Sequence, residues 1–120
     1  MRERDIRLWL VDIDDAIKNI LEFTREVDDD TFGSSLKVKH AVLHNFAVIG
    51  EAVSKLSDAF KAAHTEIAWR EIKGFRNYVV HEYFGLDDGI IWEIIQNDLP
   101  QLQRDINRIL EAENKKGKKL

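Results

Sequence analysis

The segment Gly74-Phe75-Arg76-Asn77-Tyr78-Val79-Val80-His81-Glu82-Tyr83-Phe84-Gly85 places an arginine, a histidine and a tyrosine within eight positions. These residue types suit phosphodiester chemistry. A guanidinium fork matches phosphate oxygens and stays charged at any physiological pH. A histidine with an unperturbed pKa of about 6.5 gives or takes a proton near neutrality. RNA carries its own nucleophile, the 2′-hydroxyl, so an enzyme that deprotonates it and stabilises the charged phosphate needs no metal. On an ideal helix Arg76, Val80 and Tyr83 fall close to one face, and Asn77 and His81 on the neighbouring one. Phe75, Tyr78 and Val79 then supply an apolar side. The same pattern is also open to a plainer reading, in which a half-buried polar cluster only pins a short helix between two glycines.

Three further residues share one helical face at steps of four and seven: His40, His44 and Glu51. HxxxH with a carboxylate is a metal-ligand spacing. A two-metal bundle site would need a second Glu-x-x-His, which the chain lacks, so no metal site is expected. Gly50 sits inside a helical pattern at a cost of about 1 kcal/mol relative to alanine, and such a glycine marks a close approach by another backbone or a ligand. His44 and Glu51 are therefore expected to project toward the cleft of the Arg–His–Tyr segment, with His40 on the solvent side. Trp9, Trp69 and Trp92 read as packing residues.

The elements that must position these groups are helices. Ile6, Trp9, Leu10, Ile13, Ala16, Ile17, Ile20, Leu21, Thr24 and Val27 form one apolar stripe, predicting a first helix from about Glu3 to Val27. An acidic loop from Val27 to Asp30 and a break through Gly33 follow. Ser34 or Ser35 can cap a second helix, from about Leu36 to Ala62, whose middle is apolar nearly all round. Thr65 to Lys73 reads as a short helical turn. Gly74 and Gly85 bracket the motif helix, Phe75 to Phe84. A last helix starts at Asp87 or Asp88 and runs to about Ala112, with Pro100 interrupting it because it has no N–H for the carbonyl of Gln96. The reading is all-α: an antiparallel four-helix bundle with one or two short extra helices. It forms one domain over residues 1–112, with 113–120 as a basic, disordered tail.

Composition agrees. The chain has 120 residues, 44% hydrophobic and 33% charged, enough apolar content for a core and the length of one domain. The absence of cysteine removes disulfides, zinc–thiolate sites and thiol nucleophiles. No apolar run nears the ~18 residues of a membrane span, so a cytoplasmic protein is expected. A net charge of −4 argues against passive coating of nucleic acid but leaves room for a local cationic cleft.

Trp69-Arg70-Glu71-Ile72, Gly74-Phe75-Arg76-Asn77 and Val80-His81-Glu82-Tyr83-Phe84 together resemble the HEPN superfamily, most closely its HepT-like branch. The family signature is an arginine, four to six residues, a histidine, one residue and a tyrosine; here it is Arg76, four residues, His81, Glu82, Tyr83. Ile49-Gly50-Glu51-Ala52 resembles the family's second helix. Trp92-Glu93-Ile94-Ile95 with Asp98-Leu99-Pro100 resembles its last one. The likeness covers about residues 4 to 110. It implies a dimeric four-helix bundle and, in many members, a ribonuclease toxin of a toxin–antitoxin pair, with tRNA as a plausible target and no cofactor.

By the same resemblance Arg76 and His81 would be catalytic; Asn77, His44 and Glu51 are expected to support them or touch substrate. Tyr83 would be the site where a minimal nucleotidyltransferase antitoxin attaches AMP, placing negative charge beside Arg76. Family members often have Arg-Asn where this chain has His44-Asn45. Two other readings stay open: a non-catalytic HEPN module that presents substrate or nucleotide to a nucleotidyltransferase, and a purely structural bundle.

Overall fold

The computed structural model of the protein describes residues 5–118. The elements, in chain order, are α1 (Ile6–Phe23), α2 (Asp29–Ser34), α3 (Leu36–Lys55), α4 (Asp58–Ala63) and α5 (Trp69–His81). A 3₁₀ turn (Tyr83–Gly85), α6 (Asp88–Glu93), a π turn (Ile94–Asp98) and α7 (Leu99–Lys118) complete the chain. The fold is all-α, and no strand occurs among the described residues. Nor is any described helix long and apolar enough to cross a membrane.

The stripe read in α1 is the side it buries: Leu10, Ile13, Ile17 and Ile20 have no exposed surface. Each contributes about 1.5–3 kcal/mol relative to exposure. They meet Val42, Leu43, Phe46 and Ile49 of α3 and Ile91, Ile95, Leu99 and Ile106 of the α6–α7 run in one core. Polar bonds set the helices against one another. Asn107 Nδ2 donates to buried Asp14 at 3.2 Å, and Asn19 Nδ2 donates to Asn45 at 3.1 Å. Lys39 Nζ reaches Asp88 at 2.9 Å.

Several boundaries differ from the sequence reading, each for a local reason. The expected start of α1 at Glu3 lies outside the described residues; Asp5 caps the helix by accepting the Arg7 N–H at 2.8 Å. The acidic stretch is not all loop. Asp28 accepts the Thr31 N–H at 2.7 Å and starts the short α2, where Asp29 and Asp30 suit the positive end of the helix dipole. Ser35, rather than Ser34, caps α3. The second helix stops at Lys55: Leu56 turns extended and Ser57 caps α4 by accepting the Phe60 N–H at 3.1 Å.

Gly74 does not divide the chain. One helix, α5, runs through it from Trp69, because Ile72, Phe75 and Val79 pack into the core on both sides of the glycine. Pro100 lies in the first turn of α7. Its effect is the widened π turn just before it, in which the Leu99 N–H reaches the Ile94 carbonyl. The helix also continues past Ala112 to Lys118, across residues expected to be a disordered tail. Lys116 pairs with Glu113 at 3.4 Å, and lysines near a helix C-terminus complement its dipole. Lys119 and Leu120 of that expected tail lie outside the described residues.

Candidate functional site

Three helices build the site. α3 packs on both α1 and α5, so its outer face is the floor of a trough with α1 and α5 as banks. Trp9 and Asp12 of α1, His44, Ala47, Val48, Glu51 and Ala52 of α3, and Arg76 and Val80 of α5 line a cavity of about 340 Å³ there.

Phe75 sets the rotation of α5. Its ring meets Phe46 of α3 edge-on, with centroids 4.8 Å apart, and Val79 is buried below it. This turns Arg76 across Gly50: a Cβ built on that glycine would fall 2.2 Å from Arg76 Cγ. The aliphatic stem thus occupies the space that the missing side chain leaves. The guanidinium lies 3.8 Å from Glu51 Oε2, with 40% of the side chain still exposed. Glu51 also pairs with Lys55 at 3.6 Å. The Arg76 charge is held at the cavity mouth and stays accessible to an anion.

The sequence places His44 and Glu51 toward the motif cleft, and both line this cavity with Arg76. The rest of the motif spreads out. His81 is the last residue of α5; its side chain is exposed and is not part of the cavity wall. Asn77 is half-buried and also outside the wall. Of the arginine, asparagine and histidine expected on one broad side, only Arg76 lines the cavity. Five residues of helix turn His81 about 140° from Arg76.

Tyr83 follows in the 3₁₀ turn, 42% exposed, with its ring centroid 6.0 Å from that of His40. His40 is solvent-exposed, as expected, but in contact with the motif tyrosine. The Tyr78 hydroxyl accepts the Asp87 N–H at 2.8 Å, which ties the end of the motif to the start of α6. Asp87, in turn, caps that helix. Among the described residues no group of three histidine or carboxylate side chains is placed to hold a metal ion.

Sequence reasoning missed Asp12. The signal was available: it stands three residues after Trp9, hence on the same helical face. Trp9 itself is half-buried, with part of its surface against the core and part on the cavity.

An all-α bundle with an arginine pinned on a glycine, followed in the same segment by a histidine and a tyrosine, defines a class. The family model described as ribonuclease HepT-like matches residues 13–109, and the chain belongs to that family. It is 36% identical over 107 residues to a Thermococcus cleftensis protein named "Probable ribonuclease HepT", covering 89% of this chain and 97% of the other. It is also 30% identical over 106 residues to a Methanocaldococcus jannaschii protein named as a "Putative RNase", covering 88% and 97% of the two chains. A second protein of that organism with the same description is 32% identical over 110 residues, 92% of this chain and 95% of the other. No solved structure matches the chain significantly.

Proposed function

We propose that this protein is a metal-independent endoribonuclease acting as the toxin of a toxin–antitoxin pair, with tRNA as a candidate substrate. Membership of the HepT-like ribonucleases supports the activity. The observation that carries the reading is Arg76, seated on Gly50, 3.8 Å from Glu51 and open to solvent. A guanidinium so held binds a phosphate without first being ordered.

His81 takes the proton of a 2′-hydroxyl, or delivers one to the leaving 5′-oxygen, while Arg76 stabilises the charge gathering on phosphorus. The attacking 2′-oxygen forms its bond to phosphorus as the bond to the 5′-oxygen breaks. The products are a 2′,3′-cyclic phosphate and a 5′-hydroxyl. His81 is exposed and outside the wall of the Arg76 cavity, so the two groups are proposed to serve one phosphate when two copies meet across a twofold axis and juxtapose their motifs. The exposed Val80, at 50%, and Tyr83, at 42%, supply apolar surface for that contact. Light scattering at micromolar concentration is expected to give a dimer.

Tyr83 is the proposed control point, modified with AMP by a minimal nucleotidyltransferase antitoxin. The test of the activity is cleavage of RNA in excess EDTA by the wild type and by His81→Ala and Arg76→Ala. Cleavage is expected to survive chelation and to fall on the order of 10²-fold or more in each variant, with helicity intact. Loss of activity to EDTA, or full activity in His81→Ala, overturns the mechanism.

A further inference from the structure

The helix that carries Arg76 has another side, and it is not fully covered. α5 packs broadly on α3 but scarcely meets α7. Between α5, the π turn and α7 lies a groove of about 650 Å³, which shares no wall residue with the Arg76 cavity. Phe46, Ile72, Phe75, Ile94, Leu99 and Leu102 make its apolar surface. Ile72, Phe75, Ile94 and Leu102 pack against the core yet are only partly buried, so an occupant with an apolar body would complete their burial. Ala68 and Phe75 mark the ends of one bank, Leu99 and Asp105 those of the other. At the rise of an α-helix each bank is roughly 10 Å long. A stable protein partner covers ~800 Å² on each side, more than a groove of that length provides. The volume falls instead within the ~300–1,000 Å³ of small-molecule pockets.

The charge around the groove selects among small molecules. Four carboxylates and one guanidinium stand on its wall: Glu66, Glu71, Asp98, Asp105 and Arg104. Glu66 and Asp105 are already paired. Arg108 reaches them at 3.4 and 3.0 Å and ties the segment before α5 to α7. Arg104 donates to Gln101 at 2.8 Å. It stands roughly 9 Å along the helix from Asp98. That leaves Glu71 on α5 and Asp98 at the end of the π turn. Both are exposed, and among the described residues their carboxylates make no ion pair or hydrogen bond. Uncompensated carboxylates repel an anion and favour an ammonium.

We propose that this groove binds a small organic cation, an ammonium on a flat apolar body, with the body on Ile72, Phe75 and Leu102 and the charge toward Glu71 and Asp98. The inference goes beyond the ribonuclease reading and does not depend on it. It bears on Arg76 all the same. Phe75 and Phe46, which line the groove, are the ring pair that sets the rotation of α5. Arg76 is the next residue, so an occupant reaches the arginine's seat on Gly50 through that one contact.

The test uses three indoles that share a body and differ in charge: tryptamine, tryptophol and indoleacetate. Each is titrated into the isotope-labelled full chain at low salt and followed by NMR, which reads the about millimolar affinity of ligands this small. Tryptamine is expected to bind at least about tenfold tighter than indoleacetate, since the exposed carboxylates attract one and repel the other. Tryptophol is expected to fall between. The amide shifts caused by tryptamine are expected to centre on residues 68–75 and 94–105 and to extend to Gly50 and Arg76. Glu71→Gln/Asp98→Asn removes the charge and keeps the shape. It is expected to bring tryptamine to the affinity of tryptophol and to leave tryptophol unchanged. Equal binding of the three indoles overturns the cation site, and so does a preference for tryptamine that persists in the double variant. Shifts centred on Trp9, His44 and Arg76 place the ligand in the other cavity and overturn the site as well. Shifts that stop short of Gly50 and Arg76 overturn the link to the arginine. If the double variant does not fold, the comparison of the three indoles and the shift map still decide. RNA cleavage enters none of these outcomes, so failure of the ribonuclease reading is distinguishable from failure of the groove.

Discussion

Gly50 and Arg76 stand so close that any side chain at position 50 would collide with the arginine stem. A Cβ there would lie 2.2 Å from Arg76 Cγ and 2.5 Å from Arg76 Cβ. The second atom matters more than the first. A Cγ can swing to another rotamer, but a Cβ moves only with its helix. Gly50→Ala must therefore push α5 off α3. The gain in helix propensity, about 1 kcal/mol, is smaller than the strain of overpacking two buried helices, about 1–3 kcal/mol. We expect Gly50→Ala to be destabilised in urea titration and to lose RNA cleavage beyond what its stability explains, because Arg76 leaves Glu51. A variant as stable and as active as wild type would show that the contact constrains nothing.

Gly74 makes the opposite case. It lies within α5, exposed, and a Cβ there would meet nothing within 4 Å. Gly74→Ala removes backbone freedom from the unfolded chain at no steric cost, and we expect it to stabilise the protein by about 0.5–1 kcal/mol. A thermal melt reads this directly. A lower Tm would mean that position 74 faces a partner surface in solution.

These two glycines show what the sequence could and could not convey. Gly50 interrupts a run that is apolar on nearly every side, so a close neighbour was legible; which residue filled the gap was not, because that contact spans 26 positions (50 to 76). Gly74 resembled a boundary because glycine disfavours helix. The packing of Ile72, Phe75 and Val79 on either side outweighs that local preference. The stop after Lys55 was hidden in the same way. Phe60 and Ala63 continue an apolar pattern, and only the cap offered by Ser57 ends the helix. The residue types of the motif could be read, but not the direction each side chain takes. Arg76 and His81 are five apart on the single helix α5, about 140° around its axis, and the Phe75–Phe46 contact decides which of its faces meets α3. Asp12 is one of many charged residues on α1, and only its step of three from Trp9 marks it out.

The α1 bank of the cavity has an acid-sensitive start. The Arg7 side chain and backbone N–H hydrogen-bond Asp5 and hold its carboxyl at about 2. In the unfolded chain an aspartate titrates near 3.9. The folded value is depressed, so the stabilisation is fully present above about pH 4 and is lost as the pH falls through about 2. NMR titration of Asp5 is expected to give a midpoint well below that of a free aspartate. Asp5→Asn, which keeps a capping oxygen but has no charge, is expected to lose the acid-dependent share of α1 stability between pH 4 and 2. An Asp5 midpoint near 4 would show that the pairing does not persist in solution.

The last prediction concerns modification of Tyr83. Its ring is 42% exposed and lies 6.0 Å from His40, whereas Arg76 packs on Gly50. His40 and Gly50 are ten residues apart on one helix, roughly 15 Å at 1.5 Å per residue. An AMP phosphate on the tyrosine oxygen therefore arrives beside His40. It is expected to lie nearer His40 than the Arg76 guanidinium, beside which the sequence reading placed its charge. Silencing by such a modification is then expected to come from its bulk. In the proposed transfer the Tyr83 hydroxyl loses its proton and attacks the α-phosphorus of ATP, and pyrophosphate leaves. Two outcomes follow when protein, the partner nucleotidyltransferase and ATP are mixed and intact mass is measured. Tyr83→Phe is expected to gain no AMP. Arg76→Ala is expected to be modified as fully as wild type, since its guanidinium plays no part in holding the new phosphate. An unmodified Arg76→Ala would return the phosphate to the arginine, and an undiminished mass gain in Tyr83→Phe would move the switch to another residue.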